Sequence, residues 1–403
     1  MDCLIESQFI LDIYNKVMNG SCEDICDFWN SIKAKGTPII EEIPGDKNRI
    51  KVTFLFMVMN AEKVEIFSTF SGFNGASNRM NRIPNTDIWY RAYEVKKGTS
   101  FVYGFLINDW MEDSVEEKLK RIVPDQFNIN KFVFTKDEES LDSEELIMSL
   151  MENYDDEIKK LTNINIGVPS GKIKLQRIKS LVYGCRRRVW VYIPESYYNC
   201  TEPLDLIVLT DGYTYLYDVN VNIIFDNMIY NNLIPPTVVI FIDNQNRREE
   251  LSCCNKFADF IASEGIRWVR NAYNISKSPD KVTIAGSSLG GLTASYLGYC
   301  HPEIFGRILS QSGSYWWGPE NEEQWLIEKF KSSELLPLKF YLDIGEYENE
   351  SYGNRPSMVE VNEKMRDALI SKGYSVIFSK FSGGHDYVCW KKTLIDGLMA
   401  LNS

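Results

Sequence analysis

A serine between two glycines, at the junction of an apolar run and a small-residue run, constrains this chain more than any other feature. Residues 286–290 have the sequence Gly-Ser-Ser-Leu-Gly, which is the pattern G-x-S-x-G. The run before it, 281–285, is largely β-branched and apolar, whereas 291–298 has the small side chains of a closely packed helix. Strand, sharp turn and helix in this order predict that Ser288 lies on a strained turn with its hydroxyl accessible as a nucleophile. The flanking glycines avoid a Cβ where strand and helix approach closely.

A serine nucleophile needs a base within hydrogen-bond reach, and the chain has only two histidines. His301 is followed by a proline at the end of the predicted helix, so we expect it to be a helix-terminus residue. His385 follows the strand-like run 374–380 in a glycine-containing loop. Loops at the carboxyl ends of strands carry the ligand-binding and catalytic groups of parallel sheets. The sequence therefore predicts Ser288 as nucleophile and His385 as its base.

The base needs a third group that orients it, and chain order places this acid between the serine and the histidine. The strand-like run 338–344 and the loop after it contain four carboxylates, Asp343, Glu346, Glu348 and Glu350. Glu348 is favoured because it lies three residues past the turn glycine and is free to bend towards the histidine. Asp343 lies inside the strand pattern, and it remains an alternative together with Glu346.

The developing oxyanion of an ester reaction needs two hydrogen-bond donors. The amide that follows the nucleophile, that of Leu289, is expected to be one of them. The second should follow the earlier apolar run 205–210, which makes the amide of Gly212 or Tyr213 the candidate. An ordinary Asp-Gly turn is the alternative explanation for this glycine.

Length and composition are those of a globular enzyme with an accessory domain. A chain of 403 residues exceeds one comfortable core, and its 44% hydrophobic content argues against disorder. Nine cysteines without paired metal-ligand spacing indicate reduced thiols, so we predict no metal and no cofactor. Without an apolar run of membrane-span length, and with a start that lacks a basic n-region, the sequence predicts a cytoplasmic protein.

The net charge of −12 disfavours nucleic acid and anionic membranes as partners. An anionic small substrate would need a locally basic site, for which two arginine clusters are candidates. The run 186–188 precedes a strand and is expected to be an exposed strand start. Arg247 and Arg248 follow the apolar run 238–243 and are expected on the active-site side of the sheet. The sequence gives no indication of the oligomeric state.

The predicted organisation has two parts. Residues 1–150 are expected to form N-terminal helices, a β-sandwich of short strands and the start of a linker. The acidic segment 137–157 is expected to be a partly helical linker, because it shows apolar spacing at Leu146, Met148, Leu150 and Met151. In residues 173–403 strands alternate with helices, which predicts an α/β-hydrolase catalytic domain with a mostly parallel sheet.

Several motifs resemble the enterochelin esterase (ferric enterobactin esterase) family. They are the elbow at 285–292, the run Ser-Gln-Ser-Gly-Ser-Tyr-Trp-Trp at 310–317, the histidine motif at 383–386 and N-terminal motifs at 27–29 and 80–89. This resemblance implies an immunoglobulin-like N-terminal domain and a cytoplasmic hydrolase that cuts the ester bonds of a cyclic catecholate siderophore.

The same resemblance assigns roles to individual residues. Ser288, His385 and Glu348 would be the nucleophile, base and acid. Arg247 would face the anionic catecholates, and Trp316 or Trp317 would stack on their rings. Packing beneath a lid is the alternative role for the tryptophans. Another carboxylesterase activity, on a feruloyl-type or acyl ester, is the alternative function.

Overall fold

The computed structural model describes residues 7–19, 23–70, 78–110, 114–140, 143–351 and 355–403. The chain forms two compact units, each built from three separate segments. The first unit comprises Met1–Lys136, Glu144–Tyr154 and Ser382–Asp386, and the second comprises Asp137–Ser143, Asp155–Phe381 and Tyr387–Ser403. The limits expected from the sequence, 1–150 and 173–403, stay a prediction.

The N-terminal unit begins with two helices, as the sequence predicts. They are Gln8–Met18 and Glu23–Lys35, and a short helix, Val115–Leu119, follows later. The Ser7 hydroxyl caps the first helix by accepting from the amide of Ile10. Apolar side chains of the first two helices are buried in one cluster with residues of the following strands.

The strands of this unit lie in two antiparallel sheets with the orders β1-β2-β5-β4 and β3-β6-β8-β7. Phe54 of one sheet contacts Tyr103 of the other, with ring centroids 4.8 Å apart, and both rings are buried. The two sheets therefore pack face to face as the predicted β-sandwich. The strands are β1 (Ile39–Ile43), β2 (Asp46–Met57), β3 (Val64–Ser68), β4 (Asn81–Arg82), β5 (Ile88–Lys96), β6 (Phe101–Ile107), β7 (Lys131–Phe134) and β8 (Leu146–Met151).

The helical prediction for the acidic segment is wrong where it concerns Leu146–Met151. These residues form strand β8, which pairs with β6 and β7. Positions 146, 148 and 150 fit a period of two, whereas the pairs 146/150 and 148/151 have the i, i+4 and i, i+3 spacings of a helix, and so short a run cannot distinguish the two. Pairing with β6 and β7 decides the outcome. The helix of this region, Asp156–Thr162, begins later.

The second unit is built on a sheet with the order β16-β15-β14-β13-β11-β12-β10-β9. All neighbours from β16 to β12 are parallel, and β10 is antiparallel to both β12 and β9. The mostly parallel sheet predicted for an α/β-hydrolase is thereby confirmed. Its strands are β9 (Lys172–Lys179), β10 (Arg186–Ile193), β11 (Asp205–Leu209), β12 (Thr237–Ile242), β13 (Val282–Ser287), β14 (Arg307–Gln311), β15 (Lys339–Gly345) and β16 (Ser375–Phe381).

Helices and single turns connect these strands, and two of the turns, Thr214–Asp218 and Phe260–Gly265, are π-helical. Among the described residues, every helix is too short or too polar to cross a lipid bilayer. The remaining helices and helical turns of this unit are Asp156–Thr162, Glu195–Asn199, Val221–Tyr230, Arg247–Glu250, Asn255–Asp259, Ile266–Ala272, Pro279–Lys281, Leu289–Cys300, Pro319–Asn321, Trp325–Ser332, Met358–Lys372 and Tyr387–Asn402.

The arginine run 186–188 is not uniformly exposed, which corrects the expectation of an exposed strand start. Arg187 is fully buried, and its guanidinium donates to both carboxylate oxygens of Glu250, at 2.5 and 2.8 Å. Burial disfavours its charged form, but the hydrogen-bonded carboxylate outweighs burial and raises the pKa of Arg187. Arg187 pairs with Ile178 within the sheet. Since its side chain is fully buried, it lies in the core.

Candidate active site

Ser288 lies at the junction of β13 and the helix Leu289–Cys300, as the sequence predicts. Its backbone has φ 58° and ψ −122°, a conformation that L-residues rarely adopt. Such a conformation costs on the order of 1–3 kcal/mol and persists only where the surroundings impose it. Here the amide of Ser288 donates to the carbonyl of Gln311 at 2.9 Å, and its carbonyl accepts from the amide of Ser314 at 3.0 Å. The last residue of β14 and the loop after it therefore hold the strained turn.

The glycines on either side of the turn are required by close approach to β11. A Cβ on Gly286 would lie 2.4 Å from the hydroxyl of Thr210, and one on Gly290 would lie 2.5 Å from the same atom. Thr210 is buried and directly follows β11, so it cannot move aside cheaply. The turn is thus pressed against the carboxyl end of the neighbouring strand.

Residues that follow four parallel strands meet at this edge of the sheet, because the carboxyl ends of parallel strands lie on the same side. Asp211 follows β11, Ser288 follows β13, Ser312 follows β14 and Glu348 follows β15. The hydroxyl of Ser288 lies 3.3 Å from that of Ser314, on the loop after β14. The edge therefore gathers hydroxyl and carboxylate groups around the proposed nucleophile.

Glu348 is held firmly in the loop after β15. Its side chain is buried, and Oε1 accepts from the hydroxyl of Ser312 at 2.6 Å and from the amide of Gly345 at 3.0 Å. The hydroxyl of Ser312 in turn accepts from the indole N–H of Trp390 at 3.1 Å. A carboxylate anchored by such donors keeps one orientation, which is what an orienting acid requires.

The two alternative acids have different surroundings. Asp343 is fully buried within β15, and burial, reinforced by the charge of Glu348, raises the pKa of Asp343 well above its ordinary value. This shift disfavours the charged form of Asp343, which is the form that would stabilise an imidazolium. Glu346 lies half-buried in the turn that begins the loop, where its amide donates to the carbonyl of Phe381 at 2.9 Å.

His385 belongs to a segment, Ser382–Asp386, that is part of the N-terminal unit. Next to it, the buried carboxylate of Asp386 accepts from the hydroxyl of Thr69 and, at 3.4 Å, from the amide of Val102. The segment that carries the predicted base is therefore held by side-chain and backbone donors of the β-sandwich.

The other histidine is a helix-terminus residue, as expected. His301 is the C-cap of the helix Leu289–Cys300, and its amide donates to the carbonyl of Leu297. Its Nδ1 lies 3.3 Å from a carboxylate oxygen of Glu303, which is exposed. These contacts give His301 a capping role.

The two predicted oxyanion donors lie on neighbouring elements. Leu289 begins the helix after Ser288, and Gly212 begins a short helical turn after β11. A Cβ on Gly212 would lie 2.7–2.9 Å from backbone atoms of Phe241 and Ile242, so packing against β12 already requires glycine there. A Cβ on Gly290 would also approach Asp211 Oδ2 at 3.3 Å, which shows how close the two turns come.

Arg247 pairs with a carboxylate at the same edge of the sheet. Its guanidinium donates from Nε to Oδ1 of Asp211 at 2.7 Å and from Nη2 to Oδ2 at 2.8 Å. Desolvation opposes the charge, but Asp211 outweighs it and raises the pKa of Arg247. The side chain of Arg247 remains 42% exposed, whereas that of Asp211 is 3% exposed. The positive charge of Arg247 is thus balanced by Asp211, while part of its side chain still reaches solvent.

The two predicted tryptophans have different neighbours. Trp317 contacts Trp325 edge to face, with ring centroids 6.4 Å apart. Trp316 lies under the guanidinium of Arg355, whose central carbon is 4.8 Å from the ring centroid. Both tryptophans are partly buried. Trp317 therefore has a packing partner, and Trp316 has a cationic one.

Comparison with known proteins places the chain in a family. A model of the Esterase family, described as "Putative esterase", matches residues 180–401, which is more than half of the chain. The chain belongs to this esterase family. It is 25% identical to the iron(III) salmochelin esterase of Escherichia coli O6:H1 (strain CFT073) over 96% of both chains. It is also 31% identical to the iron(III) enterobactin esterase of Escherichia coli (strain K12), over 58% of this chain and 57% of that protein.

Solved structures extend the likeness of this esterase to both units. The enterochelin esterase of Shigella flexneri superposes with a TM-score of 0.73 at 24% identity, covering 93% of this chain and 97% of that one. The enterobactin esterase of the same organism, determined in the presence of enterobactin, gives a TM-score of 0.72 at 25% identity over 91% and 96% of the two chains. The resemblance to enterochelin esterases predicted from the motifs is confirmed.

Sequence reasoning missed three residues in this esterase. Asp386 and Thr69 hold the histidine segment, and Arg355 lies over Trp316. Asp386 directly follows the histidine, but nothing in the local sequence connects it with a threonine 317 positions away. Arg355 lies seven positions after Glu348, on the loop already singled out for its acids, and its positive charge among them was the available signal.

Proposed function

We propose that this protein is a serine esterase that hydrolyses the ester bonds of a ferric catecholate trilactone siderophore such as enterobactin, in the cytoplasm, so that iron can be released. The iron is part of the substrate. The observation that carries the proposal is similarity to an iron(III) salmochelin esterase along 96% of both chains, together with a strained G-x-S-x-G turn. Membership of the esterase family supports the reaction type.

In this proposal Ser288 attacks the ester carbonyl while His385 accepts its proton, and a tetrahedral intermediate forms. Its collapse breaks the ester C–O bond, and His385 gives the proton to the leaving alkoxide oxygen, which departs as an alcohol and leaves the acyl-enzyme. Water then hydrolyses the acyl-enzyme by the same route. Glu348 would orient the imidazole and stabilise its positive charge. The anchoring of Glu348 by Ser312 and Gly345 supports this role.

The developing negative charge on the carbonyl oxygen would be held by the amides of Leu289 and Gly212. The positions of these two residues in the fold support this assignment. The helix that begins at Leu289 presents unpaired backbone donors at its N-terminus, as every helix does. Gly212 follows β11, the neighbour of the strand that leads to Ser288.

Substrate binding would use Arg247, Trp316 and Trp317. A ferric tris-catecholate is an anion, and a protein with a net charge of −12 repels it unless cations line the site. The exposed part of Arg247 supports a role in receiving this charge. The partly buried indoles offer flat apolar surfaces for catechol rings.

The experiment incubates the protein with a ferric trilactone, with the iron-free trilactone and with neutral aryl esters, and follows linear products by chromatography. Ser288→Ala should lower turnover of all substrates by several orders of magnitude, because no other group replaces the covalent step. His301→Ala is the control and should retain nearly full activity. Hydrolysis of aryl esters without trilactone cleavage would overturn the siderophore assignment and favour another carboxylesterase activity.

A further inference from the structure

We infer that Trp316 and Arg355 together form a subsite for an aromatic ring that carries anionic oxygens, and that Arg355 determines specificity for such substrates. The inference rests on the proposed esterase function, and it names the chemistry by which the site distinguishes anionic from neutral aromatic esters. It concerns a residue outside the predicted triad and outside the predicted arginine clusters.

The contact itself brings together two loops at the carboxyl edge of the sheet. Trp316 follows β14, and Arg355 lies between Glu348 and the helix Met358–Lys372. The guanidinium carbon lies 4.8 Å from the centroid of the indole, which is within cation–π range. Arg355 is exposed, and in the described part of the chain no carboxylate forms an ion pair with it. Its positive charge is stabilised by the cation–π contact with the indole of Trp316.

Three other arginines of this unit differ in that respect. Arg187 is neutralised by Glu250, Arg247 by Asp211 and Arg307 by Asp205. Their charges are largely compensated before any ligand arrives. A guanidinium that lies over an indole without a carboxylate partner has not committed its N–H donors to an anion, so they can meet an incoming one. Arg355 is therefore better suited than Arg247 to attract negative charge.

The geometry also selects the kind of anion. A planar guanidinium donates in parallel to two neighbouring oxygens, which matches a carboxylate or the vicinal oxygens of a catecholate. The exposed part of the indole beside it offers a surface for the ring that carries those oxygens. A neutral ring would contact the indole but would not gain the hydrogen bonds from the guanidinium.

The subsite lies close to the proposed nucleophile along the chain. The amide of Ser314 donates to the carbonyl of Ser288 at 3.0 Å, and Trp316 is two residues further on. Its Cα is therefore within about 7.6 Å of the Cα of Ser314. A substrate whose ester reaches Ser288 can place an aryl group of ordinary size at this indole.

The test compares two aryl esters of equal size that differ only in a ring carboxylate, together with the ferric trilactone. Arg355→Gln should lower kcat/KM for the anionic ester roughly 5- to 30-fold, mainly through KM, and should narrow the preference for the anionic over the neutral ester by that factor. The difference should shrink as salt rises, because exposed charges are screened. Arg355→Lys should restore only part of the preference, since an ammonium lacks the planar fork.

Arg366→Gln is the matched control, because Arg366 also lies over an aromatic ring, that of Phe378, but is paired with Asp367. It should leave the preference unchanged. Combining Arg355→Gln with Trp316→Leu should give a loss smaller than the sum of the two single losses if they act as one unit. Equal preferences in the Arg355 and Arg366 variants overturn this inference. Absence of trilactone cleavage by the unaltered enzyme overturns the proposed substrate instead, while the pair of aryl esters still tests Arg355.

Discussion

The hydroxyl of Ser312 donates a 2.6 Å hydrogen bond to Oε1 of Glu348. The two residues follow neighbouring parallel strands, β14 and β15, and the contact joins the loops at the carboxyl edge of the sheet. The backbone of Ser312 also donates to Asp343, at 3.3 Å. Ser312 thus contacts both leading candidates for the triad acid. Glu348 is anchored in a loop, whereas Asp343 is buried in a strand.

Glu348→Gln should lower turnover by roughly two to four orders of magnitude, because the amide keeps the shape of the side chain but removes the charge that stabilises the imidazolium. The measurement is kcat for an activated aryl ester, with circular dichroism to verify the fold. KM should change little if the carboxylate acts through the base and not on the substrate.

Two variants serve as controls for this assignment. Asp343→Asn should cost less than about tenfold in turnover, because burial already disfavours the charged form of that carboxyl group. Glu346→Gln should be similarly mild, since the side chain is half-exposed. If the largest loss appeared at Asp343, the choice of acid would be wrong while Ser288 and His385 could stand.

The buried Asp343 also predicts a pH dependence of stability. Burial raises the pKa of Asp343 above its ordinary value of 3.8, so between these two values the folded state binds more protons than the unfolded state. The free energy of unfolding contributed by this group is therefore fully present below pH 3.8 and is lost as pH rises towards the folded pKa. Asp343→Asn removes the titration.

Urea denaturation at a series of pH values checks this prediction. The stability of the unaltered protein minus that of Asp343→Asn should decline as pH rises from about 4, and should level off once the folded carboxyl group has ionised. Parallel stability curves across the whole range would show that the carboxyl group is not shielded from solvent.

The ion pair between Arg187 and Glu250 predicts a large effect on folding. The two side chains are 0% and 5% exposed, so Arg187→Met would leave a buried carboxylate without its cation. Breaking such a pair costs about 3–5 kcal/mol in the free energy of unfolding. Chemical denaturation measures the loss. Combining Arg187→Met with Glu250→Leu should recover part of it, because no uncompensated charge remains.

Arg186→Met is the control, because this neighbour is exposed. Its effect should stay within about 0.5 kcal/mol, as is usual for surface substitutions. A loss below about 1 kcal/mol for Arg187→Met would mean that the pair contributes no more than an exposed one.

The local structure around Ser288 could be predicted because the information lies in consecutive residues. A β-branched run, two glycines and a small-residue run specify strand, turn and helix, and the structure has them at Val282–Ser287 and Leu289–Cys300. The same kind of reasoning failed at Leu146–Met151, where a six-residue run fits either period. Pairing partners decided that case, and they lie elsewhere in the chain.

The state of individual charges could not be predicted for the same reason. Arg187 is buried because Glu250, 63 positions away, meets it in the core. Arg355 could have been suspected from its loop, but its contact with Trp316 depends on how two loops fold together. Sequence patterns therefore indicated which elements meet at the carboxyl edge of the sheet. Whether a given arginine has a carboxylate partner follows only from the folded chain.

The hydroxyl of Thr69 donates to the buried carboxylate of Asp386, beside the proposed base. Thr69→Val keeps the volume but removes the donor, so the segment that carries His385 should hold its position less firmly. We expect kcat to fall roughly tenfold, the equivalent of one hydrogen bond to a charged group. The matched control is Thr86→Val, which removes a buried hydroxyl of the same unit that donates to the carbonyl of Ile83 at 2.8 Å. Both variants should lose stability by denaturation, but only Thr69→Val should lose turnover per folded molecule. Equal turnover in the two variants would show that Thr69 supports the fold and does not position the base.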